Sequence, residues 1–100
     1  MANKNLRVIW TDRAYSDSSV IKEYLRYHFT EREIENYYKL LESFEKIVAS
    51  FPELYPKSNK NRKMRRAVLS KQLSVFYTLN KSTIIIVAVL DNRMSDSRWP

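Results

Sequence analysis

Residues 73–90 read LSVFYTLNKSTIIIVAVL, and this stretch decides the fold. Two runs rich in β-branched and aromatic residues, 73–79 and 83–90, predict two strands. The polar break at 80–82 is short enough for a hairpin turn, so we expect these strands to pair antiparallel. The density of isoleucine and valine in the second run predicts a central strand that is covered on both of its faces.

Two further strands are predicted outside this hairpin. Residues 64–69 form a β-like run that is separated from it by the short polar break 70–72. Near the N-terminus, residues 5–10 alternate in the period of a half-buried strand. The side chains on the predicted inner face of that strand are Leu6, Val8 and Trp10.

Between the first strand and the rest of the sheet, the pattern changes to that of two amphipathic helices. Thr11 offers a hydroxyl N-cap to the first helix. Thr30 and Glu33 have the spacing of a capping box, which predicts that a second helix begins almost without a linker and ends near Pro52. Helices joined this tightly predict an antiparallel hairpin over about residues 12–51. The predicted inward positions are Ala14, Ser18, Ile21, Leu25 and Phe29, then Ile34, Tyr37, Leu41, Phe44 and Val48.

The order of these elements predicts the fold class. Strand, helix, helix and three strands indicate one small α+β domain over residues 1–100, with the helical hairpin packed on a mostly antiparallel sheet. The sheet is expected from about residues 5–10 and 64–90, followed by a polar tail over 91–100. With 100 residues, of which 44% are apolar, the chain can bury one core and leaves little room for a second.

The composition excludes several functional classes. Without cysteine the chain has no disulfide framework, thiolate metal site or cysteine nucleophile. Without glycine it has no phosphate loop, dinucleotide fingerprint or nucleophile elbow. His28 is the only histidine, so we expect no metal and no cofactor. The longest apolar run, 84–90, is too short to span a bilayer, and the N-terminus lacks the apolar segment of a secretory signal.

Charge is the main positive signal in the sequence. Eighteen lysines and arginines against eleven acidic residues give a net charge of +7, which attracts nucleic acid or an acidic partner. The charge is densest over 57–66, where Tyr55 lies close enough in sequence to stack on a base. A solvated loop entering an edge strand explains this segment as well as phosphate binding does. The candidate residues for target or nucleic-acid binding are Lys57, Lys60, Arg62, Lys63, Arg65, Arg66 and Arg93.

Four other side chains invite a functional interpretation. Arg93 directly follows the last predicted strand, where it can hold a phosphate or form an ion pair with Asp91. If that pair is exposed, it should contribute only about 0–1 kcal/mol to stability. His28 can act as a general base or can pack at the end of the first helix. Tyr37 and Tyr38 suit either the core or a partner surface.

Five short segments stand in a recognisable order: VIWT at 8–11, FPEL at 51–54, RRAVL at 65–69, VFY at 75–77 and DNR at 91–93. In this order the chain resembles the RelE/ParE superfamily of bacterial type II toxins over nearly its whole length. The resemblance implies the α+β fold already predicted and a small, basic, cytoplasmic toxin. It also implies that a cognate antitoxin wraps around the chain and neutralises it.

The resemblance further separates two activity branches. The mRNA-cleaving, RelE-like branch has an arginine in the middle of its third strand, where this chain has Ser74. That branch also has a tyrosine shortly after its last strand, where this chain has about Trp99. Arg93 matches a terminal arginine that both branches have. The resemblance therefore implies a toxin closer to the ParE branch, which acts on DNA gyrase without a recognised catalytic constellation.

Two alternatives stay open at this stage. A ribosome-dependent mRNA endonuclease fits if its catalytic groups have moved, for example to Lys60, Lys63, Arg65 and Arg93. A basic nucleic-acid-binding module without toxicity fits the charge but not the resemblance. The sequence predicts no oligomeric state.

The sequence also yields two expectations about single residues. We expect an antitoxin segment to bind the helical hairpin and the sheet edge, with Tyr37 and Tyr38 in contact with it. We also expect Arg93→Ala to abolish toxicity while leaving the fold and antitoxin binding nearly intact, because a packed strand places Arg93 rigidly.

Overall fold

A computed structural model describes residues 5–94 and Pro100, and it confirms the predicted element order. No helix among these residues is long and apolar enough to cross a membrane. The elements are β1 (Arg7–Trp10), α1 (Asp12–His28), α2 (Glu31–Ser50), β2 (Arg65–Val68), β3 (Leu73–Asn80) and β4 (Thr83–Asp91).

The four strands form one mixed sheet in the order β1-β4-β3-β2. β4 pairs antiparallel with β3 and parallel with β1, and β2 pairs antiparallel with β3 at the outer edge. The predicted α+β fold with a mostly antiparallel sheet is therefore confirmed. Both helices contribute their apolar stripes to a core on one face of this sheet. The largest fully buried side chains of that core are Ile21, Leu25, Phe44, Val48, Leu73, Val75, Tyr77, Ile84, Ile86 and Val89.

β4 is interior to the sheet, as predicted, but its two faces are not equally covered. Ile84 and Ile86 are fully buried, whereas Ile85 and Val87 remain partly exposed. The prediction that both faces are covered is wrong for these two residues, because the helices pack against the opposite face. The pairing register shifts beside Val87, since Phe76 pairs with Ala88 but Tyr77 with Ile86. A bulge of this kind changes the direction in which the following side chains point.

The threonines that precede the two helices differ in their hydrogen bonding. The Thr11 hydroxyl accepts a hydrogen bond from the Ala14 backbone N–H at 3.1 Å, as an N-cap does. The Thr30 hydroxyl makes no capping hydrogen bond, so the predicted capping box is not formed. The Glu33 backbone N–H instead donates to the Thr30 carbonyl, and the Glu33 carboxylate lies 3.5 Å from Arg93. α2 nevertheless begins at Glu31 and ends at Ser50, before Pro52.

Candidate functional site

An open groove of about 740 Å³ lies along α1 and α2. Its aromatic side chains are Trp10, Tyr15 and Tyr38, and the Trp10 indole donates to Glu45 at 3.1 Å. The Lys22 ammonium lies 5.7 Å from the centre of the Tyr38 ring, a cation–π contact. A groove lined by aromatic rings, lysines and glutamates can accept an amphipathic helix that presents both apolar and charged side chains.

Tyr37 and Tyr38, which were both predicted to contact a partner, differ in their exposure to solvent. Tyr38 is 50% exposed and lines the groove. Tyr37 is only 2% exposed, and its hydroxyl forms a 2.6 Å hydrogen bond with the Ser18 hydroxyl. Burial raises the pKa of Tyr37 to about 12. The prediction that Tyr37 contacts a partner is therefore corrected, because its side chain belongs to the core.

The basic segment 57–66 folds back on itself before it enters β2. Ser58 donates its backbone N–H to Met64 at 2.8 Å, and Lys57 forms a bridge with Arg65. Because β2 is an edge strand, this returning segment lies at one side of the sheet. The exposed basic residues of the segment are Lys57, Lys60, Arg62 and Lys63.

The other two basic residues of the segment have internal contacts. The Arg65 guanidinium donates to the Tyr55 carbonyl at 2.7 Å, with the Glu53 carbonyl at 3.5 Å. Arg66 points to the opposite side of β2 and donates from Nε to the buried Ser74 hydroxyl at 3.3 Å. The six candidates therefore do not form one uniform patch.

Arg93 is held by a buried carboxylate. Its Nη2 and Nε donate to the two oxygens of Asp91 at 2.6 and 3.0 Å, and its Nη1 lies 3.5 Å from Glu33. The guanidinium carbon is also 4.9 Å from the centre of the Phe29 ring. The Arg93 side chain is 24% exposed and that of Asp91 is fully buried. Hydrogen bonding to Asp91 raises the pKa of Arg93.

This arrangement connects the end of β4 to the turn between the helices. Tyr24 of α1 donates its hydroxyl to the Arg93 carbonyl at 2.9 Å. The ring of His28 packs against Tyr24 with 4.6 Å between ring centres, which matches the packing interpretation of this histidine. The geometry thus favours the ion-pair interpretation of Arg93, and its role in toxicity stays a prediction. Trp99 lies outside the described residues.

The sequence did not point to Asp17, whose side chain binds the backbone of β4. Its carboxylate accepts the Val89 backbone N–H at 3.1 Å and lies 3.5 Å from Arg13. β1 pairs with β4 only as far as Ile86, so Val89 has β3 as a neighbour but no β1 residue opposite it, and Asp17 accepts its backbone N–H. An isolated aspartate in a helix carries no sequence signal for this contact. Within the described part of the chain, no three His, Cys, Asp or Glu side chains are grouped to hold a metal.

Comparison with solved structures shows the same fold in several proteins of low sequence identity. A chain of the chromosomal ParDE toxin–antitoxin system from P. aeruginosa superposes with a TM-score of 0.71 at 14% identity, covering 88% of this chain and 97% of that one. The conserved hypothetical protein HP0894 from Helicobacter pylori gives a TM-score of 0.59 at 12% identity, with 91% and 99% covered. A chain of the E. coli DinJ-YafQ toxin-antitoxin complex gives 0.53 at 12% identity, with 89% and 94% covered.

The sequence was also compared with curated proteins and with family models. No curated sequence is similar enough to count as a match. The family model, described as the ParE toxin of the type II toxin–antitoxin system parDE, matches residues 8–96. That range begins within β1, extends past Arg93 and includes both helices and the other three strands. The chain therefore belongs to the ParE toxin family of type II toxin–antitoxin systems.

Proposed function

We propose that this chain is a cytoplasmic, growth-inhibiting toxin that binds and inhibits DNA gyrase and is neutralised by a cognate antitoxin. Membership of the ParE family and the net charge of +7 support this proposal. In it, the exposed cations Lys57, Lys60, Arg62 and Lys63 contact the target or its DNA through charge. The toxin acts by binding and not by catalysis.

The observation that carries the proposal is the environment of Ser74 and Arg93. Ser74 is buried and hydrogen-bonded to Arg66, so it offers no positive charge of its own to a scissile phosphate. Arg93 is paired with Asp91 and lies close to Glu33, which neutralise its charge locally. Cleavage of RNA needs groups that neutralise a developing negative charge and transfer protons. A toxin that acts by binding has no such requirement.

Three of the side chains described above have raised pKa values. Burial raises the pKa of Tyr37 and of Tyr77 to about 12, and hydrogen bonding to Asp91 raises the pKa of Arg93. A general acid or base works best with a pKa near the pH of the reaction. All three shifts lead away from neutral pH, so none of these groups is adapted to proton transfer in a cell.

The groove supports an antitoxin helix as the neutralising element. Its rings at Trp10 and Tyr38 provide apolar area, and its lysines and glutamates match an amphipathic helix of mixed charge. The structural relatives from the ParDE and DinJ-YafQ systems are toxin–antitoxin proteins, which is consistent with such a partner.

The identity of the target is tested by measuring two properties of cells after induced expression of the chain. Plasmid supercoiling and integrity of a translated mRNA are measured at the same early times, and purified gyrase is assayed separately with the purified chain. Under the proposal, supercoiling fails first and purified gyrase is inhibited. Early mRNA cleavage with intact supercoiling contradicts the proposal.

One observation favours the mRNA endonuclease as a second candidate. Arg66 lies beside Ser74, with its Nε 3.3 Å from the Ser74 hydroxyl, so a guanidinium from the neighbouring strand is close to the position where the cleaving branch has an arginine. Under this alternative, Arg66→Gln abolishes mRNA cleavage on ribosomes. Under the gyrase proposal, cleavage is absent from the parent chain as well.

A further inference from the structure

Three apolar side chains are exposed together at the C-terminal end of α2. Ile47, Phe51 and Leu54 are 40%, 56% and 61% exposed. They are four and three residues apart in the sequence. α2 ends at Ser50, where Phe51 donates its backbone N–H to the Ile47 carbonyl, and Leu54 donates its backbone N–H to the Phe51 carbonyl in the turn that follows. These bonds keep the backbone of the three residues close together at the end of α2. We call this group the apolar tip.

Side chains of the sheet hold the backbone around the apolar tip through hydrogen bonds. Tyr77, fully buried in β3, donates its hydroxyl to the Pro52 carbonyl at 2.7 Å, and burial raises the pKa of Tyr77 to about 12, so it stays a donor. Arg65 donates to the Tyr55 carbonyl at 2.7 Å. The Tyr55 ring in turn packs 5.6 Å from the ring of Phe44. A surface held this firmly loses little conformational entropy when a partner binds.

The charges next to the apolar tip define the chemistry of a partner. Between residues 51 and 63 the chain carries Lys57, Lys60, Arg62 and Lys63 against a single acidic residue, Glu53. A partner must therefore offer carboxylates or phosphates around an apolar centre. Nucleic acid supplies phosphates, but its bases stack on aromatic side chains, and two of the three tip residues are aliphatic. A protein with an apolar pocket and an acidic rim matches both features.

The apolar tip and the groove lie on different sides of α2. Ile47 follows Tyr38 by nine residues, which is about two and a half turns at roughly 3.6 residues per turn. The two side chains therefore point in opposite directions from the helix axis. A ligand in the groove leaves the apolar tip open to a second protein.

We propose that the apolar tip inserts into an acid-rimmed apolar pocket of the protein target, and that the antitoxin groove is a separate site. The identification of that target as DNA gyrase rests on the proposed function. The assignment of the tip as a protein contact rests only on its exposure, its fixed backbone and the charges beside it.

The experiment compares two double variants that remove similar exposed apolar groups. Phe51→Ser with Leu54→Ser alters the apolar tip, and Val20→Ser with Tyr27→Ser alters exposed positions on α1. Circular dichroism and thermal unfolding establish that both are folded. Affinity for purified gyrase is measured by surface binding, affinity for a plain DNA duplex by fluorescence anisotropy, and growth inhibition by induced expression.

We expect the tip variant to bind gyrase at least about tenfold more weakly, as loss of a central apolar contact does, and the α1 variant to change less than about twofold. Equal binding of gyrase by the parent and the tip variant overturns this inference and leaves the proposed function intact. If the parent does not bind gyrase but only the tip variant stops inhibiting growth, the gyrase target is wrong and the tip contact is supported. A matching tenfold loss of duplex DNA affinity overturns the choice of a protein partner.

Discussion

Replacement of Arg93 by alanine should destabilise the fold strongly. The Asp91 carboxylate accepts three hydrogen bonds from Arg93: one from its backbone N–H at 2.8 Å and two from its guanidinium at 3.0 and 2.6 Å. Arg93→Ala removes the two charged donors and leaves a fully buried carboxylate with one backbone donor. Removal of one partner from a buried ion pair costs about 3–5 kcal/mol. Because Arg93 is 24% exposed, water offsets part of this loss, and we expect about 2–4 kcal/mol.

The free energy of unfolding is measured by urea denaturation followed by far-ultraviolet circular dichroism. The matched control is Arg26→Ala, which removes an exposed ion pair with Glu23 and should cost less than about 1 kcal/mol. For a chain of this size, a loss of 2–4 kcal/mol should lower Tm by roughly 10–25 °C. Combining Arg93→Ala with Asp91→Asn should recover part of the loss, since no unpaired charge is then buried.

Equal losses for Arg93→Ala and Arg26→Ala would refute the reasoning, because Asp91 would then not depend on the guanidinium. This expectation replaces the sequence-based one, in which Arg93→Ala leaves the fold nearly intact. Loss of toxicity in the alanine variant is informative only if the variant is folded at the growth temperature. Arg93→Lys, which keeps a charge beside Asp91 but loses the two-point contact, is the better variant for a toxicity assay.

Three further predictions concern alkaline pH, one turn residue and salt. Burial raises the pKa of Tyr37 and Tyr77 above their unfolded value of 10.0 to about 12, so the free energy of unfolding should be intact below pH 10 and fall between pH 10 and 12. Denaturation midpoints measured across this range should fall less steeply for Tyr77→Phe than for the parent chain. Lys81 has a φ of 56° in the turn between β3 and β4, a backbone conformation that glycine adopts easily and a β-branched residue does not. In urea denaturation, Lys81→Gly should therefore raise the free energy of unfolding by about 0.5 kcal/mol, and Lys81→Val should lower it by about 1 kcal/mol. Binding of a DNA duplex should weaken steeply between low and physiological salt, and removal of Lys57 and Lys63 should flatten that dependence; anisotropy titrations that show no salt dependence contradict a role for this segment.

Local patterns were sufficient for the elements and insufficient for contacts between distant residues. The β-branched runs predicted β3 and β4 because strand preference is expressed within a few residues, and the Thr11 cap was predictable for the same reason. The capping box failed because the Glu33 carboxylate lies toward Arg93, which is 60 residues away in the sequence. Tyr37 stands at one of the predicted inward positions of α2, so the helical periodicity of apolar residues already predicted its burial.

The candidate site was predictable only in outline. The different environments of Arg65 and Arg66 follow from the alternation of side chains along a strand, a signal that their grouping as one basic segment overlooked. The groove could not be predicted, because its residues come from β1, α1 and α2 and meet only through tertiary packing. The Asp17 contact with Val89 joins residues 72 positions apart, so no local pattern encodes it.

The parallel pairing of β1 with β4 has a consequence for how the protein is made. Arg7 lies opposite Thr83, and the Thr11 hydroxyl is within hydrogen-bond distance of the Ile86 carbonyl, so β1 is without its partner until synthesis has passed these positions. Closing so long a loop is slow, since the entropy of the intervening chain is lost before the pairing is gained. A nascent chain that already contains both helices therefore still has an incomplete sheet. The intact fold, and any activity that requires it, arises only once translation has delivered β4.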